Sequence, residues 1–272
     1  MKKLLIASAI FLTSTAVMGQ VKEGKILYER TFQMQIRIND DNPALQNMIP
    51  KERKDKFELL FTENKSLWQP VPDENQGDDM NFGDGNGARI VMRMPGSDDI
   101  TFHNIADSKK VEQRELGGKN YIVADSIRKL NWKVAGETKT ILGYNCMKAT
   151  TQRTQENMRM NMDNGKTTRE KVIDTMNIVA WFTNEIPGSF GPESYQGQLP
   201  GTILELDVNN GRNVFKAVQL TPKVDAALIK EPTKGKKMTP DEFAKEREKL
   251  FKEMQQNGGG GQRFNIRTNQ EK

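Results

Sequence analysis

One histidine, one cysteine and 14 methionines bound the chemistry open to this chain. Nucleophilic catalysis of the Ser-His-Asp kind needs a histidine base with partners gathered in space. His103 lies in an alternating run beside Phe102 and Ile105, and so reads as a surface or satisfied core residue of a strand. No G-x-S-x-G, H-E-x-x-H or C-x-x-C motif accompanies it. A zinc site takes three or four ligands, drawn mostly from histidine and cysteine. A single residue of each does not fill one. Cys146 sits in an apolar-rich strand and reads as a small buried hydrophobe. A reactive thiol would need a basic neighbour to hold the thiolate, and Lys148, two residues on, would share its face. A lone cysteine also excludes an intramolecular disulfide.

Two softer chemistries remain. Asp73, Glu74, Asp78, Asp79 and Asp84 crowd one polar stretch, and calcium takes oxygen ligands, but their spacing matches no EF-hand loop. A solvated acidic loop is the simpler reading. Met158, Met160 and Met162 alternate, as do Met92 and Met94. Thioethers on one strand face would suit Cu(I), while flexible methionine side chains equally line an adaptable apolar surface. The residues therefore name no catalytic group, no metal, no cofactor and no specific ligand-binding side chain.

The elements that must position these groups are mostly strands. Ile26, Tyr28, Phe32, Met34, Ile36 and Ile38 fall on even positions, interrupted by Arg30, and polar residues fill the odd ones. A period of two means one buried and one wet face. Asn42-Pro43 opens an expected helix running to about Lys54, and Phe57 to Leu67 reads as one strand. Residues 70–87 read as a long polar loop. Strands are expected near Arg89–Met94, Ile100–Ile105, Lys109–Leu116, Asn120–Ser126, Trp132–Val134, Thr138–Arg153 and Arg169–Thr183. Hairpin tips are expected at Asp163-Asn164-Gly165 and, between Thr202–Val208 and Val214–Leu220, at Asn209-Asn210-Gly211. Thr239-Pro240-Asp241-Glu242 is a capping box that opens an amphipathic helix, with Phe243, Leu250, Phe251 and Met254 on one stripe. The expected fold class is mainly β (β-rich α+β). It is a single large curved antiparallel sheet or open barrel with a covering C-terminal helix.

Two blocks carry a family resemblance. One runs Lys139-Thr140-Ile141-Leu142-Gly143-Tyr144-Asn145-Cys146-Met147-Lys148-Ala149, and the other from Trp181 to Glu205. Together they resemble the GLPGLI family. The motif here reads Gly197-Gln198-Leu199-Pro200-Gly201-Thr202-Ile203, with Gln198 inserted and Thr202 in place of the second leucine. The resemblance covers residues 20 to 220 and implies a secreted envelope protein of antiparallel strands, with no catalytic residues to carry over. Between Ile186 and Thr202 the prolines and glycines preclude regular structure. Such a segment is either a rigid corner closing the sheet or a loop at the mouth of a ligand cavity.

Residues 1–19 read as a cleavable signal peptide: Met1-Lys2-Lys3, an apolar run from Leu4 to Val17, and small residues before Gln20. The run is too short and too polar for a transmembrane anchor. The domain expected is 20–256, with the polar loop 70–87 and the helix 239–256 inside it and a disordered Gly-rich tail over 257–272. A net charge of +5 with no dense basic stripe argues against a nucleic-acid partner. The function expected is a non-enzymatic envelope protein, periplasmic, outer-membrane-associated or extracellular, that binds apolar or peptide-like cargo or assists assembly at the outer membrane, with an apolar ligand or an outer-membrane or envelope protein as partner. The alternatives are a hydrolase using unidentified carboxylates and a methionine-based Cu(I) binder.

Overall fold

The computed structural model describes residues 22–33, 51–72, 79–82, 90–93, 98–163 and 166–256. Its strands are β1 (Gly24–Gln33), β2 (Glu52–Phe61), β3 (Lys65–Pro70), β4 (Asp79–Phe82), β5 (Ile90–Arg93), β6 (Ile100–Asn104) and β7 (Lys109–Leu116). They continue with β8 (Lys119–Ser126), β9 (Lys133–Ile141), β10 (Tyr144–Asp163), β11 (Lys166–Thr183), β12 (Thr202–Val208), β13 (Asn213–Thr221) and β14 (Lys236–Met238). The helix α1 spans Pro240–Gln256. Twelve strands form one sheet in the order β14-β8-β7-β6-β3-β2-β1-β13-β12-β11-β10-β9, and β4 pairs with β5 apart from it. The sheet is not closed into a barrel.

The alternation in β1 translates directly into packing. Gly24, Ile26, Tyr28 and Arg30 are buried while the residues between them are not. From this face a core extends through Phe57, Leu59, Phe61 and Trp68 to Ile178, Phe182, Ile203, Leu206 and Phe215. Strands distant in the order share it, so the sheet bends around it. Trp68 lies at its centre, stacked on Phe57 at 5.1 Å and edge-on to Phe215 at 5.9 Å. Such aromatic contacts add about 0.5–1.5 kcal/mol each beyond burial. The opposite face of β2, β3 and β6–β8 buries Leu60, Leu67, Phe102, Val111 and Ile122 under Ile229 and Val224.

The capping box forms as expected. Glu242 N donates to Thr239 Oγ1 at 3.2 Å, and Thr239 N donates to Glu242 Oε2 at 2.8 Å. Phe243 then packs edge-on against Tyr121 at 5.7 Å, so α1 covers the β8 end of the sheet. Among the described residues no helix is long and apolar enough to cross a membrane.

Several expectations need correction. The strand expected from Phe57 to Leu67 is two, because the chain turns between Phe61 and Lys65. Thr138–Arg153 is likewise divided, at Leu142 and Gly143, whose φ values are 51° and 85°. A leucine in that turn hid it from a reading based on apolar continuity. The helix expected from Asn42 gives way by Glu52 to β2, where alternating charges lie across from β1; residues 42–50 lie outside the described residues. Asp79–Phe82 of the polar stretch is a strand rather than loop. The sheet is mixed, not purely antiparallel, because β14 pairs with β8 in parallel. Gly235 permits this: a Cβ there would meet the Asn120 carbonyl oxygen at 2.6 Å. The hairpin tip at Asp163-Asn164-Gly165 is bracketed by the pairing of Asp163 with Lys166. The second tip lies at Asn209, Asn210 and Gly211, all with positive φ. The signal segment and the tail lie outside the described residues.

Candidate functional site

The Pro- and Gly-rich segment is the piece around which the site assembles. Ile186, Phe190, Tyr195 and Leu199 anchor it in the core. A side chain at Gly201 would collide with the Thr183 carbonyl. Thr202 Oγ1 donates to the Gly188 carbonyl at 3.2 Å, and Tyr28 Oη donates to the Ile203 carbonyl at 2.6 Å. Gln196 is wholly buried, and its Oε1 accepts from Ser66 Oγ. Gln198, the residue inserted in the motif, ties the corner to the β8–β9 connection. Its Oε1 accepts from Leu130 N at 2.8 Å and Trp132 Nε1 at 3.4 Å, while its Nε2 donates to the Arg128 carbonyl at 2.7 Å. Both readings of the segment meet here, since it is a packed corner and also one wall of a cavity.

The cavity has a volume of about 400 Å³ and lies between β6–β8, the β8–β9 connection, β10 and the corner. Its inner wall is His103, Lys110, Tyr195 and Gln198; Arg128, Gln152, Arg153 and Thr154 stand at the outer part. Such a volume sits at the small end of the roughly 300–1,000 Å³ of small-molecule sites. His103 is wholly buried, and neither ring nitrogen has a hydrogen-bond partner among the described residues. Burial, reinforced by the Lys110 ammonium, pushes its pKa down to about 3, so the ring is neutral at ordinary pH. A neutral imidazole carries one donor and one acceptor. Buried polar atoms without partners are costly and rare.

The charges around the cavity are unequally matched. Lys110 pairs with Glu112 at 3.3 Å and Arg128 with Asp125 at 3.5 Å. Arg153 is exposed, its charge acts on Tyr195 and Glu193, and no carboxylate among the described residues lies within ion-pair distance of it. Beside the cavity, burial raises the carboxyls of Asp99 and Glu193 above their usual range, opposed by Arg114 at Asp99 and by Arg30 and, less strongly, Arg153 at Glu193. Glu193 still shows 37% of its side chain to solvent, so it is crowded rather than sealed. Among the described residues no three His, Cys, Asp or Glu side chains gather in a way that could hold a metal ion.

A second buried cluster underlies the corner. Arg30, the interruption in the apolar alternation of β1, reaches Asp55 Oδ2 with Nη2 at 2.6 Å and Glu193 with Nη1 at 3.7 Å. Arg53 Nε holds the other Asp55 oxygen at 2.5 Å, and the Arg30 guanidinium lies 4.7 Å from the centre of the Phe57 ring.

The structure disperses the other candidates. Cys146 is wholly buried, and burial pushes its thiol up to about 11, the reverse of activation. A bulge between Met147 and Ala149 resets the alternation, and Lys148 pairs with Glu137 instead. Met158, Met160 and Met162 lie on β10, opposite Lys171, Arg169 and Thr167, and Met92 lies on β5. Their side chains, with Met94 and the acidic residues Asp73, Glu74, Asp78 and Asp84, lie outside the described residues, and Asp79 is on β4. His103 is buried rather than at the surface and finds no hydrogen-bond partner among the described residues. Arg153 and Tyr195 carried no signal in sequence; Gln198 stood out only as an insertion in the motif, and Arg30 as a charge within an apolar alternation.

No curated protein matches the chain. Its fold is similar to that in "Structure of PNGF-II in C2 space group", with a TM-score of 0.50 and 17% identity, covering 84% of this chain and 33% of that one. "Structure of PNGF-II in P21 space group" gives a TM-score of 0.49 with 17% identity, covering 84% of this chain and 34% of that one. The chain thus spans about a third of the solved structures it matches, and the likeness bears on fold alone. Over residues 132–205, from the end of the β8–β9 connection into β12, the chain is similar to the family described as "Protein of unknown function (Porph_ging)", found in Bacteroidetes.

Proposed function

We propose that this is an exported envelope protein of the GLPGLI kind that binds a peptide-like ligand in the cavity beside the corner, without turning it over. The observation that carries the binding reading is His103, whose two ring nitrogens are buried in a cavity wall with no partner. A fold that tolerates this cost has a reason to keep the ring polar, and a bound ligand supplies one. His103 has no accessible surface of its own, so a ligand reaches it by shifting a neighbouring side chain.

Peptide-like is favoured over apolar on two grounds. The wall is rich in amide, hydroxyl and charged groups. The pairing of β9 with β10 ends at Lys133 and Thr150, so the outer edge of Gln152–Thr154, which also lines the cavity, has no strand partner among the described residues. A free edge offers main-chain donors and acceptors to an extended chain. The neutral His103 ring, with one donor and one acceptor, complements an amide.

Protein purified natively from the envelope fraction and examined by native mass spectrometry is expected to release peptide-like material on denaturation. His103→Phe removes both orphaned nitrogens at similar volume. It is expected to be at least as stable at pH 7 and to release none, whereas a purely structural histidine would lose stability on this change. No release, together with uptake of an apolar fluorescent probe, would move the reading to apolar cargo. For export, the mature protein is expected to begin at Gln20 when its intact mass is measured; a chain still starting at Met1 in the envelope fraction refutes cleavage.

A further inference from the structure

The cavity's charge pattern specifies which end of such a ligand it holds. Three cations reach the cavity, Lys110, Arg128 and Arg153, against one lining carboxylate, Asp125. Two of the cations are already matched, Lys110 by Glu112 at 3.3 Å and Arg128 by Asp125 at 3.5 Å. Arg153 is the one with no ion pair within 4 Å among the described residues. Its charge acts on Tyr195, buried in the wall, and more distantly on Glu193. A guanidinium carries five donors in a planar fork that fits a carboxylate with two parallel bonds.

Arg153 also stands at a particular place in the fold. It lies on β10 just past the last residue that β9 covers, between Gln152 and Thr154, whose outer edge is unpaired. A peptide lying along that edge would bring its chain end to the guanidinium.

We infer that the cavity recognises the C-terminal carboxylate of a short peptide-like ligand, with Arg153 as its counter-ion and the Tyr195 hydroxyl as a second contact. This rests on the reading of the cavity as a binding site. Lys110 adds positive potential without being the direct partner, because Glu112 occupies it. Arg153 is exposed and forms no ion pair within 4 Å among the described residues, so its replacement leaves the fold intact.

Equilibrium dialysis of the full mature chain against a mixed-sequence tripeptide pool tests this, with the bound fraction read by mass. One pool has free C-terminal carboxylates and the other is amidated. The free-acid pool is expected to be retained at least tenfold better. Arg153→Met is expected to bring retention of the free-acid pool down to the amidated level with an unchanged melting temperature, and Arg153→Lys to restore part of it. Equal retention of the two pools overturns carboxylate recognition while leaving a peptide-binding cavity standing. Retention of neither pool overturns both readings. Amidated peptides held only when they contain Asp or Glu overturn the chain-end assignment, and an Arg153→Met protein that keeps the tenfold preference overturns the role given to Arg153.

Discussion

Arg30→Met is expected to unfold at markedly lower urea concentration, with a loss of about 3 kcal/mol. The side chains of Arg30 and Asp55 are only 6% and 11% exposed, so solvent does little to screen the pair. Removing the guanidinium leaves Asp55 with Arg53 alone and strips Glu193 of the larger of the two charges that oppose its burial. Breaking a buried pair costs about 3–5 kcal/mol because the surviving charge is left uncompensated, and the remaining Arg53 contact places this variant at the low end. The Arg30 contact with Phe57 is lost as well. Equilibrium urea unfolding, followed by the fluorescence of Trp68 stacked on Phe57, reads the result. A loss below about 1 kcal/mol, the range of exposed pairs, would mean that the cluster is hydrated in solution. The double change Arg30→Met with Asp55→Asn is expected to recover part of the loss, since it deletes both buried charges together.

The second large effect is acid sensitivity traceable to His103. Its folded pKa lies near 3, below the ordinary value of 6.5. The unfolded chain therefore takes up a proton as pH falls through about 6.5, while the folded protein does not until about 3. Unfolding binds protons in that window, so stability falls as pH drops across it. The loss traceable to this one ring is about 2 kcal/mol at pH 5 and about 4 kcal/mol at pH 3. Asp99 and Glu193 act in the opposite sense: their raised pKa values make the folded state the better proton binder on acidification. The measurement is therefore a difference. Stability of wild type minus that of His103→Phe, taken from urea unfolding between pH 7 and pH 4, is expected to decline with acid. A flat difference would mean that the ring is hydrated or partnered in solution and titrates normally.

The strands were legible because their signal is local. β7 begins and ends where the charge and apolar pattern of Lys109–Leu116 places it. The alternation of β1 places Ile26 and Tyr28 on its buried face, though Phe32 is only half-buried and Met34, Ile36 and Ile38 lie outside the described residues, and the Thr239–Glu242 box marks the start of α1 through bonds made within one turn. Boundaries failed at Leu142-Gly143, where an apolar run crosses a tight turn, and between Phe61 and Lys65, where the polar Thr62-Glu63-Asn64 marks a reversal that the strand pattern was carried across.

The candidate site was not legible in the same way. His103 and Ser66 are opposed across β6 and β3, and Ser66 bonds Gln196, 130 positions along the chain. Arg153 and Tyr195 meet only because the sheet bends and the corner folds over its core. A side chain's periodicity reports which way it faces, since that depends on its own backbone. Whether a buried polar group finds a partner depends on segments arriving from elsewhere. By itself the sequence determined that this chain is strand-rich, with an arginine interrupting the apolar alternation of β1, an irregular corner before β12 and a capped helix near its end. Tertiary structure alone decided that Arg30 faces inward and is matched by Asp55 and that His103 finds no hydrogen-bond partner among the described residues, because compensation of a buried charge or dipole is a property of the neighbours that long-range packing delivers.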